Sequence, residues 1–210
     1  MAIKLGIAVI SGRDHNPKFT KCILELVARL TLEAKFSFQL MLRDNVGCLS
    51  AGRQLILDQA VQAGLTHILY IDDDMTFPTT VAYDLLKHDV EVVALNAVRK
   101  DPTKWTFCAR DKDGCMVSSY GRHGLEEVRR VGMGVMLVRV SATQRAPKPH
   151  FEVVYNRHSG AYISEDYYFC DHMRAVGAKI FIDHDASQSV GHVGDFVFGL
   201  CSPVGDNAGC

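Results

Sequence analysis

Residues 68–78 read Ile68-Leu69-Tyr70-Ile71-Asp72-Asp73-Asp74-Met75-Thr76-Phe77-Pro78. An apolar run that ends in three carboxylates predicts a strand buried on both faces, as strands of parallel sheets are. Side chains two apart in an extended chain share a face, so we expect Asp72 and Asp74 to point together while Asp73 points away. Open parallel sheets bind ligands at the carboxyl ends of their strands. The sequence therefore predicts a ligand site at these three residues.

The three carboxylates also indicate which ligand the site would take. Like charges repel one another unless a cation lies among them. Hard oxygen ligands with open coordination positions suit Mg²⁺ or Mn²⁺, which are usually shared with the phosphates of a substrate. The alternative is an acidic turn that caps a helix beginning at Pro78. One cap needs one acid rather than three, so the pattern favours a metal and a phosphate.

Strands and helices alternate in the first hundred residues, which predicts a mainly parallel α/β sheet with right-handed crossovers. The expected strands there are 4–10, 36–42, 66–71 and 90–95, and the expected helices are 19–30, 50–63 and 78–87. Beyond residue 96 we expect a hairpin of 106–110 with 115–119, extended segments at 135–140, 151–155 and 179–183, and a helix over 164–176 that Ser164 caps. This later part predicts a smaller antiparallel portion beside the parallel sheet.

Length and composition set the class of protein. The 210 residues carry a net charge of −1, which fits one domain and excludes a DNA-binding protein that is basic overall. No apolar run reaches the ~18–20 residues that span a bilayer, and residues 1–7 lack the features of a secretory signal. Seven cysteines without CxxC spacing predict free thiols. We expect a cytoplasmic protein without membrane insertion, with one domain over 1–198 and a mobile tail over 199–210.

Four segments, taken in order, resemble the GT-A glycosyltransferases, particularly the inverting family 2. Ile71-Asp72-Asp73-Asp74, which follows a helix carrying Arg53, is similar to the family's DxD element. Residues 131–138 resemble the glycine-bearing segment before the acceptor strand, and Ser164-Glu165-Asp166 resembles the xED element. His192 resembles the histidine near the end of the family's catalytic domain that completes the metal–diphosphate site. The resemblance spans roughly residues 4–195, although the chain is short for the family, and it extends to the small stand-alone enzymes of phage genomes.

The resemblance implies a metal-dependent inverting transferase that moves a sugar from a nucleotide-diphosphate sugar, above all a UDP-sugar, to an acceptor hydroxyl. Residues 1–96 would form the donor half and residues 97–198 the acceptor half. Asp166 is the implied general base, and Glu165 is implied to orient the acceptor. Mn²⁺ or Mg²⁺ would be held by Asp72, Asp74 and His192, with His184 or Asp185 as alternatives to His192. The implied donor-binding residues are Ser11, Arg13, Asp44, Arg53, Asp72, Asp73, Gly132 and Gly134.

Plainer interpretations remain open for several of these residues. Acidic side chains are favoured in the first turn of a helix whatever their function, which alone accounts for Glu165 and Asp166. His192 and Arg53 are also compatible with solvated surface positions. Trp105 either stacks on a sugar or base, or packs against its own hairpin.

Two other functional classes compete with glycosyl transfer. Residues 69–76 also fit the hhhhDxDxT pattern of haloacid-dehalogenase-like phosphatases, with Asp72 as nucleophile and Asp74 as acid/base. That motif normally ends the first strand, whereas two predicted strands precede it here. The other class is a non-catalytic nucleotide-binding module. No GxGxxG follows the first strand, which disfavours a nicotinamide enzyme.

The charge distribution gives one hint about the acceptor. Residues 97–158 hold 12 lysines and arginines against 6 aspartates and glutamates. A track of these cations would suit a polyanionic acceptor such as hydroxymethylated phage DNA. The overall charge of −1 weighs against DNA and leaves a saccharide or lipid-linked acceptor open. The same basic loops could instead hold the donor diphosphate or be solvated. The residues of the predicted track are Arg99, Lys100, Lys104, Arg122, Arg129, Arg130, Arg145, Lys148 and Arg157.

Overall fold

A computed structural model of the chain describes residues 2–12, 15–44, 47–101, 103–104, 106–194 and 197–199. In chain order its elements are β1 (Lys4–Ile10), α1 (Pro17–Glu33), β2 (Ser37–Arg43), α2 (Leu49–Gln62), β3 (His67–Asp72), β4 (Met75–Thr76), α3 (Val81–Leu86), β5 (Val92–Ala94), β6 (Leu125–Val128), β7 (Val135–Arg139), α4 (Val140–Thr143), β8 (Val154–Asn156), β9 (Ala161–Ile163), α5 (Glu165–Ala175), β10 (Ile180–Asp183), α6 (His184–Ser187), β11 (Gly191–Val193) and β12 (Val197–Gly199). Gly199 thus ends a strand, and the rest of the predicted tail, 200–210, lies outside the described residues.

Within the described residues, seven strands form a central sheet in the order β2-β1-β3-β7-β5-β10-β6. Strands β1, β2 and β3 pair in parallel, and so do β5 and β10. Strand β7 runs antiparallel between β3 and β5, and β6 runs antiparallel beside β10. The mixed, mostly parallel sheet flanked by helices confirms the predicted α/β fold class.

Each face of the sheet buries its own hydrophobic core because strand side chains alternate between the faces. In β1, Leu5, Ile7 and Val9 pack with α1 and α3 on one face, while Ala8 packs with α2 and α5 on the other. Helix α1 begins where the Asn16 side chain accepts a hydrogen bond from the Lys18 amide at 2.9 Å. Burial on both faces explains the nearly continuous apolar runs of the central strands.

Two predicted elements are wrong in detail. The third helix begins at Val81 rather than at residue 78, because Pro78 lies in a turn whose carbonyl accepts from the Val81 amide at 3.0 Å. The predicted hairpin of 106–110 with 115–119 forms its turn, which the Asp111 carboxylate holds through the Asp113 and Cys115 amides. Its flanks form isolated bridges instead of strands, because Arg110 pairs with Arg130 as well as with Met116.

Two findings concern the cysteines and the helices. Cys22, Cys48, Cys108 and Cys170 are free thiols. Among the described residues, no helix has both the length and the apolar character that crossing a membrane requires.

Candidate active site

The candidate site lies at the carboxyl edge of the parallel strands, where the DxD carboxylates leave β3. Arg53 reaches this edge from α2, and Glu165 reaches it from the first turn of α5. The Arg53 guanidinium donates to Asp72 Oδ1 at 2.8 Å and to Glu165 Oε1 at 2.5 Å. Its side chain is only 2 % exposed. This buried arginine therefore joins the DxD strand to the xED helix.

Burial and charge act in opposite directions on this network. Burial raises the pKa of the Asp72 carboxyl, and the Arg53 guanidinium offsets part of that rise. Burial disfavours the charged guanidinium, yet the carboxylates of Asp72, Glu165 and Asp166 together raise the pKa of Arg53. The guanidinium is therefore held charged by the acids around it. Its Nε has no hydrogen-bond partner among the described residues.

Asp74 has partners other than this arginine. Its Oδ2 is 2.5 Å from the Lys100 ammonium and 3.3 Å from His192 Nε2. Burial raises the pKa of Asp74, but the contacts with His192 and Lys100 outweigh it and hold the pKa below its usual value. Its Oδ1 is buried and has no partner among the described residues. An ionised carboxylate whose Oδ2 lies beside a histidine nitrogen offers a divalent cation one oxygen and one nitrogen ligand.

His192 reaches Asp74 because β11 pairs antiparallel with β4, which sets His192 opposite Met75. The Val98 carbonyl lies 3.1 Å from His192 Nδ1 and can only accept a hydrogen bond, so Nδ1 carries a proton. The direct contact with Asp74 requires a proton on Nε2 as well, whereas a cation bound between the two residues would take the Nε2 lone pair of the neutral imidazole. A backbone carbonyl that fixes the tautomer in this way is typical of metal-binding histidines.

The two alternatives to His192 have other partners. His184 is buried between Ser119 Oγ at 2.8 Å and Glu126 Oε2 at 2.7 Å. Asp185 accepts from the Gly124 amide at 2.9 Å and contacts His123. Neither contacts Asp74. Of the three candidates, the structure brings only His192 to the DxD turn.

Of the two carboxylate oxygens of Asp166, only Oδ1 accepts hydrogen bonds from the residues that the structure describes. Its Oδ1 accepts from the Ser164 hydroxyl and from the Tyr167 amide. Ser164 thus occupies the N-cap position but donates to Asp166 instead of accepting from the helix backbone, contrary to the simple capping prediction. Asp166 Oδ2 faces Gly132, where an added Cβ would lie 3.5 Å from it. Glycine at position 132 therefore keeps a side chain away from this oxygen.

The thiol of Cys108 shares this space with Asp166. An added Cβ at Gly132 would lie 3.0 Å from Cys108 Cβ and 3.3 Å from its Sγ. Burial raises the pKa of Cys108 to about 11, and the neighbouring Asp166 carboxylate adds to the rise. The thiol is therefore neutral at pH 7 and adds no negative charge beside Asp166.

The remaining donor-side predictions fall around the loops after β1, β2 and β3. His15 lies 3.2 Å from Asp44 and 4.0 Å from Asp73, so it bridges two predicted donor residues. Ser11 is buried at the end of β1, where its amide donates to the Arg43 carbonyl at 2.8 Å. An added Cβ at Gly134 would lie 3.1 Å from Met75 Sδ, so this glycine makes room for the DxD turn. Arg13 and Trp105 lie outside the described residues.

The predicted basic track is largely neutralised by acids. Six of its nine cations pair with carboxylates, namely Lys100 with Asp74, Arg122 with Glu126, Arg129 and Arg130 with Asp171, Arg145 with Glu91, and Lys148 with Asp58. Glu91 immediately precedes β5 and therefore lies at the amino edge of that strand, away from the DxD turn. The cations do not form one continuous row beside Asp166.

Sequence reasoning missed three residues of the site. Lys100 was expected only in the basic track, and His15 and Cys108 were not expected in the site at all. His15 follows β1 and Lys100 follows β5, so their positions just beyond parallel strands could have marked them. Cys108 lies in the irregular segment that stands in place of the predicted hairpin, and no local sequence pattern marks it as a site residue.

The chain is similar to known proteins in structure but not in sequence. The sequence matches no protein-family model and no curated protein. A solved structure of A197 from STIV aligns over 99 % of this chain and 99 % of its own, with a TM-score of 0.60 and 13 % identity. A Drosophila β-1,4-galactosyltransferase 7 mutant, D211N, in complex with manganese, UDP-Gal and xylobiose, aligns over 90 % of this chain and 71 % of its own, with a TM-score of 0.52 and 12 % identity. The chain therefore has a GT-A-like glycosyltransferase fold.

Proposed function

We propose that the chain is a metal-dependent glycosyltransferase that moves a sugar from a UDP-sugar to an acceptor hydroxyl with inversion. The observation that carries the proposal is the pairing of Asp74 with His192 at the DxD turn, together with an available Asp166 oxygen on the neighbouring xED helix. A shared fold with a galactosyltransferase that binds manganese and UDP-Gal supports it.

The residues present fit a divalent cation that the donor completes. Among the described residues, no group of three or more His, Cys, Asp or Glu side chains is placed to hold a metal alone. Asp74 and His192 supply one oxygen and one nitrogen ligand, a set that suits Mn²⁺, and the donor diphosphate would supply further oxygens. The bound cation would neutralise charge that develops on the leaving diphosphate. Lys100, which shares Asp74 Oδ2, must then withdraw.

Asp166 supplies the acid–base chemistry. Its Oδ2 accepts the acceptor hydroxyl proton while the acceptor oxygen bonds to the anomeric carbon and the bond from that carbon to the diphosphate oxygen breaks. The Ser164 hydroxyl and the Tyr167 amide hold Oδ1, so the carboxylate keeps its orientation. Attack from the face opposite the leaving group inverts the anomeric centre. Glu165 is bound to Arg53, and we propose that it positions the xED helix rather than the acceptor.

We favour a saccharide acceptor over DNA. Six of the nine cations of the predicted track already pair with carboxylates, so they offer little uncompensated charge to phosphates. The phosphatase alternative needs Asp72 as an unencumbered nucleophile, but Arg53 holds its Oδ1. Its motif would also follow the first strand, whereas the DxD residues end the third.

One experiment separates these functions. UDP-glucose and UDP-galactose binding is measured by calorimetry with and without Mn²⁺, and p-nitrophenyl phosphate turnover is measured with Mg²⁺. Mn²⁺-dependent binding with no phosphatase activity supports the proposal. Phosphatase turnover without UDP-sugar binding overturns it.

Asp74→Asn is expected to weaken Mn²⁺-dependent UDP-sugar binding by about 100-fold or more. Loss of a group that only supports a metal ligand already costs roughly 10–100-fold, and Asp74 is the proposed ligand itself. Calorimetry with and without Mn²⁺ measures the change. Asp89→Asn, on an exposed carboxylate that contacts Arg139, serves as the control and should bind as the parent does. Equal Mn²⁺ dependence in Asp74→Asn and the parent would contradict the metal assignment.

Lys100→Gln is expected to change Mn²⁺ affinity in the opposite direction. The ammonium lies on the oxygen that the metal would use, so its removal should strengthen Mn²⁺ binding by about tenfold, or roughly 1.4 kcal/mol. Paramagnetic resonance of free Mn²⁺ gives the affinity without donor or turnover. Lys104→Gln, which changes the same charge nearby, should leave it unchanged. Unaltered affinity in Lys100→Gln would separate Lys100 from the metal position.

Gly132→Ala is expected to slow transfer by about 100-fold, because the new methyl group would press on Cys108 and occupy space beside Asp166 Oδ2. Displacement of a reacting group by about 1 Å costs on that order. Transfer rates and thermal unfolding are measured together, with Gly47→Ala as the control for folding, because a Cβ at Gly47 meets nothing within 4 Å and its φ is not in the left-handed region. Parental transfer by folded Gly132→Ala would show that this space is not used.

A further inference from the structure

The hairpin of β8 and β9 carries an aromatic pair that the mechanism does not use. Tyr155 and Tyr162 lie directly opposite each other across the two strands, with ring centroids 5.1 Å apart and planes inclined at 61°. They are 53 % and 73 % exposed, and Val153 beside them is 56 % exposed. Apolar side chains gathered at one exposed place mark an interaction surface more often than scattered ones do.

The hairpin is built separately from the central sheet. Its two three-residue strands pair only with each other among the described strands. The Asn156 carbonyl accepts from the Gly160 amide at 2.9 Å, and its side chain accepts from the His158 amide at 2.9 Å, which closes the turn. An isolated two-stranded hairpin gains little stability of its own. Because both tyrosine rings are exposed, packing in a core does not explain why they are paired here.

The position of the hairpin connects it to the candidate base. Tyr162 is four residues before Asp166, and only Ile163, Ser164 and Glu165 separate them. Four residues span at most about 14 Å, so the aromatic pair lies within reach of a short oligosaccharide whose reactive hydroxyl is at Asp166.

The chemistry of the pair fits a sugar ring. A pyranose has an apolar C–H face that packs on an aromatic ring and a rim of hydroxyl groups that need polar partners. Tyrosine supplies a flat apolar body and a polar hydroxyl in one side chain. A nucleobase would stack equally well, but its phosphates need cations. Residues 151–166 carry one arginine, Arg157, against the three acids Glu152, Glu165 and Asp166, so they do not provide a net positive surface.

We propose that Tyr155 and Tyr162 form the acceptor-binding platform, and that the acceptor is an oligosaccharide whose penultimate ring packs on them. This inference rests on the proposed glycosyl transfer. It assigns substrate recognition to a short hairpin and places the chemistry on the helix that follows it.

The test uses the full-length protein and saturation-transfer NMR with lactose, cellobiose, chitobiose and xylobiose, each with and without UDP and Mn²⁺. A twelve-residue thymidine oligonucleotide is the competing probe. The variants are Tyr162→Ala, Tyr162→Phe and Tyr155→Ala. Tyr120→Ala removes a tyrosine that is 66 % exposed on another turn and serves as the matched control. Calorimetric UDP–Mn²⁺ binding is measured for every variant in parallel.

We expect at least one disaccharide to bind the parent, and each alanine variant at the platform to weaken that binding by about tenfold, the loss of one aromatic contact. Tyr162→Phe, which keeps the ring and loses the hydroxyl, should lose less binding than Tyr162→Ala, and Tyr120→Ala should bind as the parent does. Failure of every disaccharide to bind, binding by the oligonucleotide alone, or equal binding by the alanine variants would overturn the platform. Absence of UDP–Mn²⁺ binding by the parent would instead count against the proposed function. The two failures are distinguishable because disaccharide binding is also measured without UDP and Mn²⁺.

Discussion

Asp166→Asn is expected to keep the UDP-sugar affinity of the parent while transferring sugar roughly 10²–10⁴-fold more slowly, the usual contribution of a positioned base. The amide can still accept from the Ser164 hydroxyl through its oxygen, so the local structure survives. It cannot take a proton from the acceptor. Calorimetry with UDP-sugar and Mn²⁺ measures the retained affinity, and a radiolabelled transfer assay measures the lost rate.

Glu165→Gln provides the matched comparison one residue earlier. Glu165 accepts from Arg53 at 2.5 Å, so its amide variant should lose stability rather than the proton-transfer step. Parental transfer by Asp166→Asn, combined with loss of transfer in a folded Glu165→Gln, would move the base to the neighbouring residue.

Arg53→Met is expected to lower the free energy of unfolding by about 3–5 kcal/mol at pH 7. Removing one partner of a buried ion pair leaves its counterpart charged and unpaired, and here two carboxylates lose the same cation. Asp72 and Glu165 are only 30 % and 13 % exposed, so water compensates little. Urea unfolding followed by circular dichroism measures the change.

The pH dependence of this variant provides a second check. Burial raises the pKa of Asp72 in the folded state, and without Arg53 nothing offsets that rise. The destabilisation is therefore largest above the folded-state pKa of Asp72 and diminishes as pH falls toward its unfolded-state pKa, where the carboxyl is protonated in either state. Arg145→Met breaks an exposed pair with Glu91 and should cost less than about 1 kcal/mol. Equal losses in the two variants would contradict a structural role for the buried network.

Sequence patterns predicted the strands and helices better than their arrangement. The buried apolar run of β3 and the helical spacing of α1 are local features, and the structure contains both elements close to the expected bounds. The position of β7 in the strand order could not be predicted in this way. Residues 135–139 read as a buried strand, but nothing in them specifies an antiparallel position between β3 and β5, because strand order depends on contacts made across the whole chain.

The candidate site shows the same division. Asp72, Asp74 and Asp166 can be named from motifs, and the structure gathers them at one edge of the sheet. The ion pair of Lys100 with Asp74 could not be predicted, because it requires the segment after β5 to fold back on the DxD turn. The contact of Arg53 with Glu165 joins residues 112 apart in sequence, beyond the range of any local periodicity.

The central place of β7 has a consequence for how the chain is made. As the polypeptide leaves the ribosome, β1, β2 and β3 can associate first, but the free edges of β3 and β5 wait for residues 135–139. Until that segment emerges, two apolar strand edges face solvent, and such edges invite association with other nascent chains. The centre of the sheet therefore cannot close before residue 139 has emerged, and a product truncated before residue 135 would be prone to aggregation.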